Sequence, residues 1–137
     1  MSTLTLRPIG KVESRLTDVA DAPRQADEGA PDACLAIDAE FAGALEGLKA
    51  GDELIVITWL DRAQRDILRN HPRGDPSRPV AGVFTTRSPH RPNPIGLHQV
   101  TVAAIDGARV LVRSLEAVHG TPIVDIKGVL NPDIQQR

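Results

Sequence analysis

Apolar residues in this chain recur mainly at every second position, in short runs broken by glycine, proline or aspartate. The runs "LTLRPIG", "ACLAI", "ELIVITWL", "VAGVFTT", "LHQVTVAAI", "RVLVRSL" and "PIVDIK" are rich in β-branched residues and predict about seven strands. The clearest hairpin is "QVTVAAIDGARVLVRS", where Asp106-Gly107 supplies the positive φ angles of a tight turn between two alternating runs. Helical spacing shows once, in "AEFAGALEGL": Phe41, Leu45 and Leu48 share a face, Asp38 stands at the N-cap position and Gly51 closes the segment. A second short helical piece is expected in "DRAQRDILRN", ending before His71-Pro72. The stretch from Thr17 to Asp32 is polar and proline-punctuated, and reads as a long surface loop. Many short strands with one or two helices predict a mainly β, barrel-like fold.

Other architectures lack their signals. There is no alternating βαβ pattern and no GxGxxG, which argues against a doubly wound nucleotide-binding sheet. The 137 residues, 41% of them hydrophobic, suffice for one core, so residues 1–137 are expected to form a single domain. No apolar run approaches the roughly 20 residues of a membrane helix, and the N-terminus lacks a signal-peptide pattern, so a cytoplasmic protein is the expectation. Cys34 stands alone in an apolar run, which predicts a buried structural thiol and excludes an intrachain disulfide or a multi-thiolate metal site. The four histidines have no metal-ligand spacing, and GxSxG and HExxH are both missing, so neither a metal site nor a hydrolase is expected.

Charge is unevenly placed. The formal net charge is −2, yet Arg62, Arg65, Arg69, Arg73, Arg78, Arg87 and Arg91 stand against only Asp66 and Asp75 in their stretch. Seven positive and two negative charges leave that stretch at +5 and the remainder at −7. Either these arginines are simply solvated or they make one anion-binding face, and the use of arginine without lysine there favours bidentate phosphate contact. At the end of the stretch lies "TTRSPHRPNPIG", Thr85 to Gly96. Ser88, Arg91 and Asn93 each precede a proline and are held extended, while the prolines fix their own φ. Such a loop either stiffens a sheet edge or presents polar groups already aimed at a ligand. Gly96 at its exit permits close approach of backbone or ligand.

The blocks "GVFTTRSPHRPNPIGL" (Gly82 to Leu97) and "HGTPIVDIK" (His119 to Lys127) resemble the two signature blocks of the TrmO family, also called YaeB-like or VirR-like. "PIGKVES", "PRQ" (Pro23 to Gln25) and "LEGLKAGDELIVITWL" extend the resemblance over nearly the whole chain. It implies a β-barrel that binds S-adenosylmethionine as methyl donor and acts as a homodimer on tRNA. It also implies cofactor contacts at Pro23, Arg24, Gln25, Asp61, Arg62, Arg87, Leu97, His119, Gly120, Thr121 and Pro122, with Asp125 and Lys127 bracing the Gly-Thr-Pro turn. The implied reaction is methylation of N6 of a threonylcarbamoyladenosine beside the anticodon, at position 37 of the tRNA.

For that reaction Arg91 and Asn93 are the candidates for holding the nucleotide or its phosphates. His90 and His119 are candidate bases, although a rigid clamp without a base would suffice. Two Phe, one Trp and no Tyr limit aromatic stacking, so arginine planes would take part of that task on an anticodon loop. The chain departs from the family pattern at His119, where an aspartate is usual, at the "KGVL" after Asp125-Ile126, and at Asp61-Arg62, where His and Gln are usual. It is also expected to lack the further C-terminal domain of many bacterial members. Two alternatives follow: a methyltransferase acting on another RNA or a small molecule, and a noncatalytic module that binds adenosylmethionine or RNA.

Overall fold

The computed structural model of the protein describes residues 3–17 and 30–130. Its strands are β1 (Gly10–Glu13), β2 (Ala33–Ile37), β3 (Glu53–Trp59), β4 (Arg69–Asn70), β5 (Ala81–Gly82), β6 (Ile95–Asp106), β7 (Arg109–Arg113) and β8 (Pro122–Gly128). Six of them close a barrel in the order β1-β2-β7-β6-β3-β8, with β8 returning to β1. Every pairing is antiparallel. The remaining pair, β4 and β5, forms a separate two-residue ribbon. Among the described residues no helix is long and apolar enough to cross a membrane.

The period-two pattern sets the wall. Val12, Ala33, Leu35, Ile37, Leu54, Val56, Val100, Val102, Val110, Val112 and Ile123 point inward and are buried together. Most are β-branched or small, as the narrow lumen of a six-stranded ring requires. β6 is long because it serves two partners: Ile95 to Thr101 pair with β3, and Thr101 to Asp106 pair with β7 across a register shift between Val102 and Ala104. The Asp106-Gly107 hairpin forms as the sequence predicts, with Gly107 at φ 60.

Several expectations change, among them the run "VAGVFTT", of which only Ala81–Gly82 is strand. The first strand begins only at Gly10, because Pro8 has no amide for a ladder and Gly10 packs so tightly on β2 that a Cβ there would meet the carbonyl oxygen of Ala36 at 2.3 Å. Residues Ala39–Leu45 form a seven-residue 3-10 helix in place of an α-helix. Asp38 makes no side-chain cap, Gly43 sits mid-segment, and so short a piece cannot repay α-helical nucleation. Phe41, Leu45 and Leu48 still close the core at that end. "DRAQRDILRN" is turns followed by β4, because its backbone bonds to the proline loop described below. Finally, Cys34 lies half-buried on the outer wall, paired across the sheet with Glu13 and Leu111.

Two consequences can be checked. Leu35→Ala removes a fully buried side chain and should cost about 2–5 kcal/mol in denaturant unfolding, against about 1 kcal/mol or less for Leu111→Ala on the outer wall. Burial raises the Cys34 pKa above its ordinary value; its thiolate is therefore scarce at neutral pH, and alkylation of the native protein should lag a free thiol until the pH is raised well above 9.

Candidate functional site

The strand ends gather the residues singled out by sequence at one end of the barrel. Here β3 finishes at Trp59, β6 starts at Ile95 and β8 starts at Pro122. A cavity of about 420 Å³ lies at the other end beneath the 3-10 helix, lined by Phe41, Leu45, Leu48, Leu54 and Ile126. Among the assigned residues that are described only Asp125 borders it, so this cavity and the chemistry-bearing groups do not coincide.

The loop from Thr85 to Gly96 explains its own composition. Three prolines take amide donors away but leave every carbonyl needing a partner. Arginine side chains supply the missing donors. Arg91 donates from Nη1 to the carbonyls of Ser88 (2.8 Å) and Thr86 (3.2 Å), and from Nη2 to that of Val83 (2.9 Å). Arg65 donates from Nε to the Pro92 carbonyl (2.7 Å) and from Nη2 to Oδ1 of Asn93 (3.1 Å), with its guanidinium 5.2 Å from the Trp59 ring centroid. The segment after β3 completes the clasp: Gln64 donates its amide to Nδ1 of His90 (3.0 Å) and accepts from the Arg91 amide (3.1 Å), and the Leu60 amide bonds the Pro94 carbonyl (2.7 Å). Asn70 on β4 donates to Ser88 Oγ at 2.8 Å.

The assigned residues therefore divide. Arg91 is committed to loop carbonyls, Asn93 accepts from Arg65, and His90 has only Nε2 left to offer. Arg87 is exposed and makes no hydrogen bond or ion pair with the described residues. Arg62 donates to the Thr17 carbonyl at 3.1 Å, and the Asp61 amide closes a tight turn on Trp59. His119 is tied twice to the chain after β1, by its amide to the Leu16 carbonyl (2.6 Å) and by Nδ1 accepting from the Ser14 amide (3.2 Å). Gly120 turns at φ 86 and donates to Val12, while the buried Thr121 hydroxyl donates to the Val118 carbonyl at 2.7 Å. Pro122 opens β8 opposite Lys11. Asp125 and Lys127 face each other at 3.7 Å on β8 and do not reach the turn. Pro23, Arg24 and Gln25 lie outside the described residues.

The outer wall beside these groups is apolar. Ile57 pairs with Leu97 and Trp59 with Ile95 across the β3–β6 seam, and Ile95 and Leu97 are each 46% exposed. The sequence offers Arg65 only as one of seven arginines, and it does not single out Trp59 or a trio of the buried Thr58 and His98 with the part-buried Glu116. The trio has a legible signal: Leu54, Val56 and Thr58 alternate on β3, as do His98, Val100 and Val102 on β6, which puts a hydroxyl and an imidazole at inward positions. Among the described residues no group of three or more His, Cys, Asp or Glu side chains could hold a metal ion.

The model of the tRNA-methyltransferase O N-terminal domain matches residues 11–132. The chain belongs to that family. A TrmO_N relative from Archaeoglobus fulgidus, named S-adenosyl-L-methionine-binding protein, is 43% identical over 124 residues, covering 90% of this chain and 88% of the relative. One from Rhizobium radiobacter, the probable S-adenosyl-L-methionine-binding protein VirR, is 38% identical, covering 87% and 67%. Solved TrmO structures share the fold: one from Pseudomonas aeruginosa superposes with a TM-score of 0.75 at 26% identity, covering 98% of this chain. The chain spans 59% of the length of that TrmO.

The TrmO_N loop gives a direct test. Arg91→Ala would strand the carbonyls of Thr86 and Ser88 and leave that of Val83 only its bonds from Thr86, and hydrogen exchange and limited proteolysis between 83 and 94 should rise sharply with a loss of roughly 1–3 kcal/mol in stability. Arg91→Lys should recover little of this, since one ammonium cannot span the three acceptors as a planar fork does.

Proposed function

We propose that this chain binds S-adenosylmethionine at the clasped loop and transfers its methyl group to tRNA. The observation that carries the reading is the exposed Arg87 on a loop whose other arginine is locked into carbonyls. Among the described residues it is a cation with no partner on a rigid mount, next to an exposed apolar strip. A family model over residues 11–132 and relatives named for S-adenosylmethionine binding support it.

The residues present fit such a group. Arg87 would take the carboxylate, Leu97 and its apolar neighbours the adenine, and the backbone of His119, Gly120, Thr121 and Pro122 the remaining polar edge. Asp61 and Arg62, and Pro23, Arg24 and Gln25 before them, belong to the same proposed set. When bound, S-adenosylmethionine supplies an activated methyl group. The chain's task is then to hold an attacking nitrogen in line with that methyl, and a loop fixed by prolines and arginine bonds loses little entropy in doing so. The finer reading is N6 of threonylcarbamoyladenosine at tRNA position 37, with a homodimer in the cytoplasm as the acting form. In the neutral tautomer His90 presents an N–H at Nε2, since Nδ1 already accepts the Gln64 amide, so it enters as a donor to substrate.

Calorimetric titration with S-adenosylmethionine should give one site per subunit, with sedimentation reporting a dimer. Absence of binding would overturn the reading, and binding without transfer to any RNA would leave a noncatalytic module. Arg87→Ala should weaken binding at least tenfold with the fold intact, as loss of a charge-assisted contact to carboxylate does. Asn93→Ala should slow transfer while cofactor affinity holds within about threefold, a separation read from single-turnover kinetics.

A further inference from the structure

Three polar side chains meet at the site end of the apolar lumen, Thr58 and His98 buried and Glu116 part-buried. Oγ1 of Thr58 on β3 lies 2.7 Å from Nε2 of His98 on β6, and Nδ1 of His98 lies 2.5 Å from Oε1 of Glu116 in the connection between β7 and β8. Thr58 is 0% and His98 5% exposed. Gly96 makes the approach sterically possible, because a Cβ there would meet Thr58 Oγ1 at 2.3 Å and His98 Nε2 at 2.7 Å. In the neutral tautomer of His98 that carries its proton on Nδ1, that N–H donates to the carboxylate and Nε2 accepts the Thr58 hydroxyl proton.

The order hydroxyl, imidazole, carboxylate is that of an acyl-transfer triad. A fully enclosed hydroxyl offers no route to a substrate, so nucleophilic use is excluded. What the trio does touch is informative. Thr58 immediately precedes Trp59-Leu60-Asp61-Arg62, Gly96 and His98 flank Leu97, and Glu116 stands three residues before His119. Oε2 of Glu116 is enclosed and has no partner among the described residues, so among them the carboxylate is held through Oε1 on His98 alone. A buried network of this kind fixes a single arrangement of the elements it joins, since each broken link leaves a desolvated polar group.

We propose that Thr58, His98 and Glu116 are positioning residues that lock the His119–Pro122 turn to the end of β3 and the start of β6, and so set affinity for the ligand held there. The affinity part rests on the S-adenosylmethionine reading above. Thr58→Val keeps shape and removes the hydroxyl. By native-state hydrogen exchange without ligand, the His119 and Gly120 amides should exchange roughly tenfold faster, while Val110 and Val112 keep wild-type protection. The dissociation constant for S-adenosylmethionine should rise roughly tenfold, and Thr58→Ser should restore both readouts to within about twofold. Gly96→Ala, which crowds the same two atoms from the other side, should reproduce the localised response if Thr58→Val fails to fold. Uniformly faster exchange around the barrel would overturn the proposal in favour of bulk stability, as would wild-type exchange and affinity in both variants. A localised exchange response in a protein whose wild type binds no S-adenosylmethionine would uphold the positioning and overturn the cofactor reading alone.

Discussion

The β3–β6 seam is the constraint on which the site end depends. Its pairs run unbroken from Glu53 opposite Thr101 to Trp59 opposite Ile95. Period-two geometry then leaves no freedom: if Leu54, Val56, Val100 and Val102 are to face the lumen, Thr58 and His98 must face it too, and Ile57, Leu97, Trp59 and Ile95 must face outward. A slip of one residue would put the imidazole on the surface and two isoleucines inside. The same register that builds the core therefore hands an apolar strip to the outer wall and a polar trio to the interior, and the clasped loop leaves the barrel where the seam stops.

Beyond the seam the organising rule changes from apolar burial to matching donors with acceptors. A proline-rich loop carries more carbonyls than amides, and solvent would normally take up the difference. Here two guanidinium groups take it up instead, one from within the loop and one from the segment after β3. That division accounts for the arginine-rich stretch better than uniform solvation: Arg65 and Arg91 are structural, Arg78 pairs with Asp75 at 3.8 Å, and Arg87 is left facing outward.

Much of the barrel was legible because alternation is a local signal. β2 has the bounds of "ACLAI", and the Asp106-Gly107 turn carries its own dihedral requirement. What failed was tertiary. "DRAQRDILRN" has tolerable helix propensity, but its Gln64 and Arg65 bond to residues more than 20 positions away, which no window of that length reveals. "VAGVFTT" looks like a strand, yet only Ala81–Gly82 pairs before a 3-10 turn at Val83–Thr85 aims a carbonyl at Arg91. For the site, motif reading located the loop and the Gly-Thr-Pro turn. It could not tell which arginine was spent and which was not, because that depends on partners brought together by folding. His98 is hidden for a different reason: spacing among four scattered histidines speaks only to metal ligation, whereas its place on the inward face of β6 follows from the register with β3.

Apolar burial weakens on cooling, while a proline's fixed φ and a charge-assisted hydrogen bond do not share that dependence. The clasp between Arg65, Arg91 and the loop carbonyls and the valine-lined lumen that carries it therefore answer to temperature by different chemistry. Below the temperature of maximum stability the lumen is the part that weakens, and the loop keeps its place only as long as the seam beneath it holds.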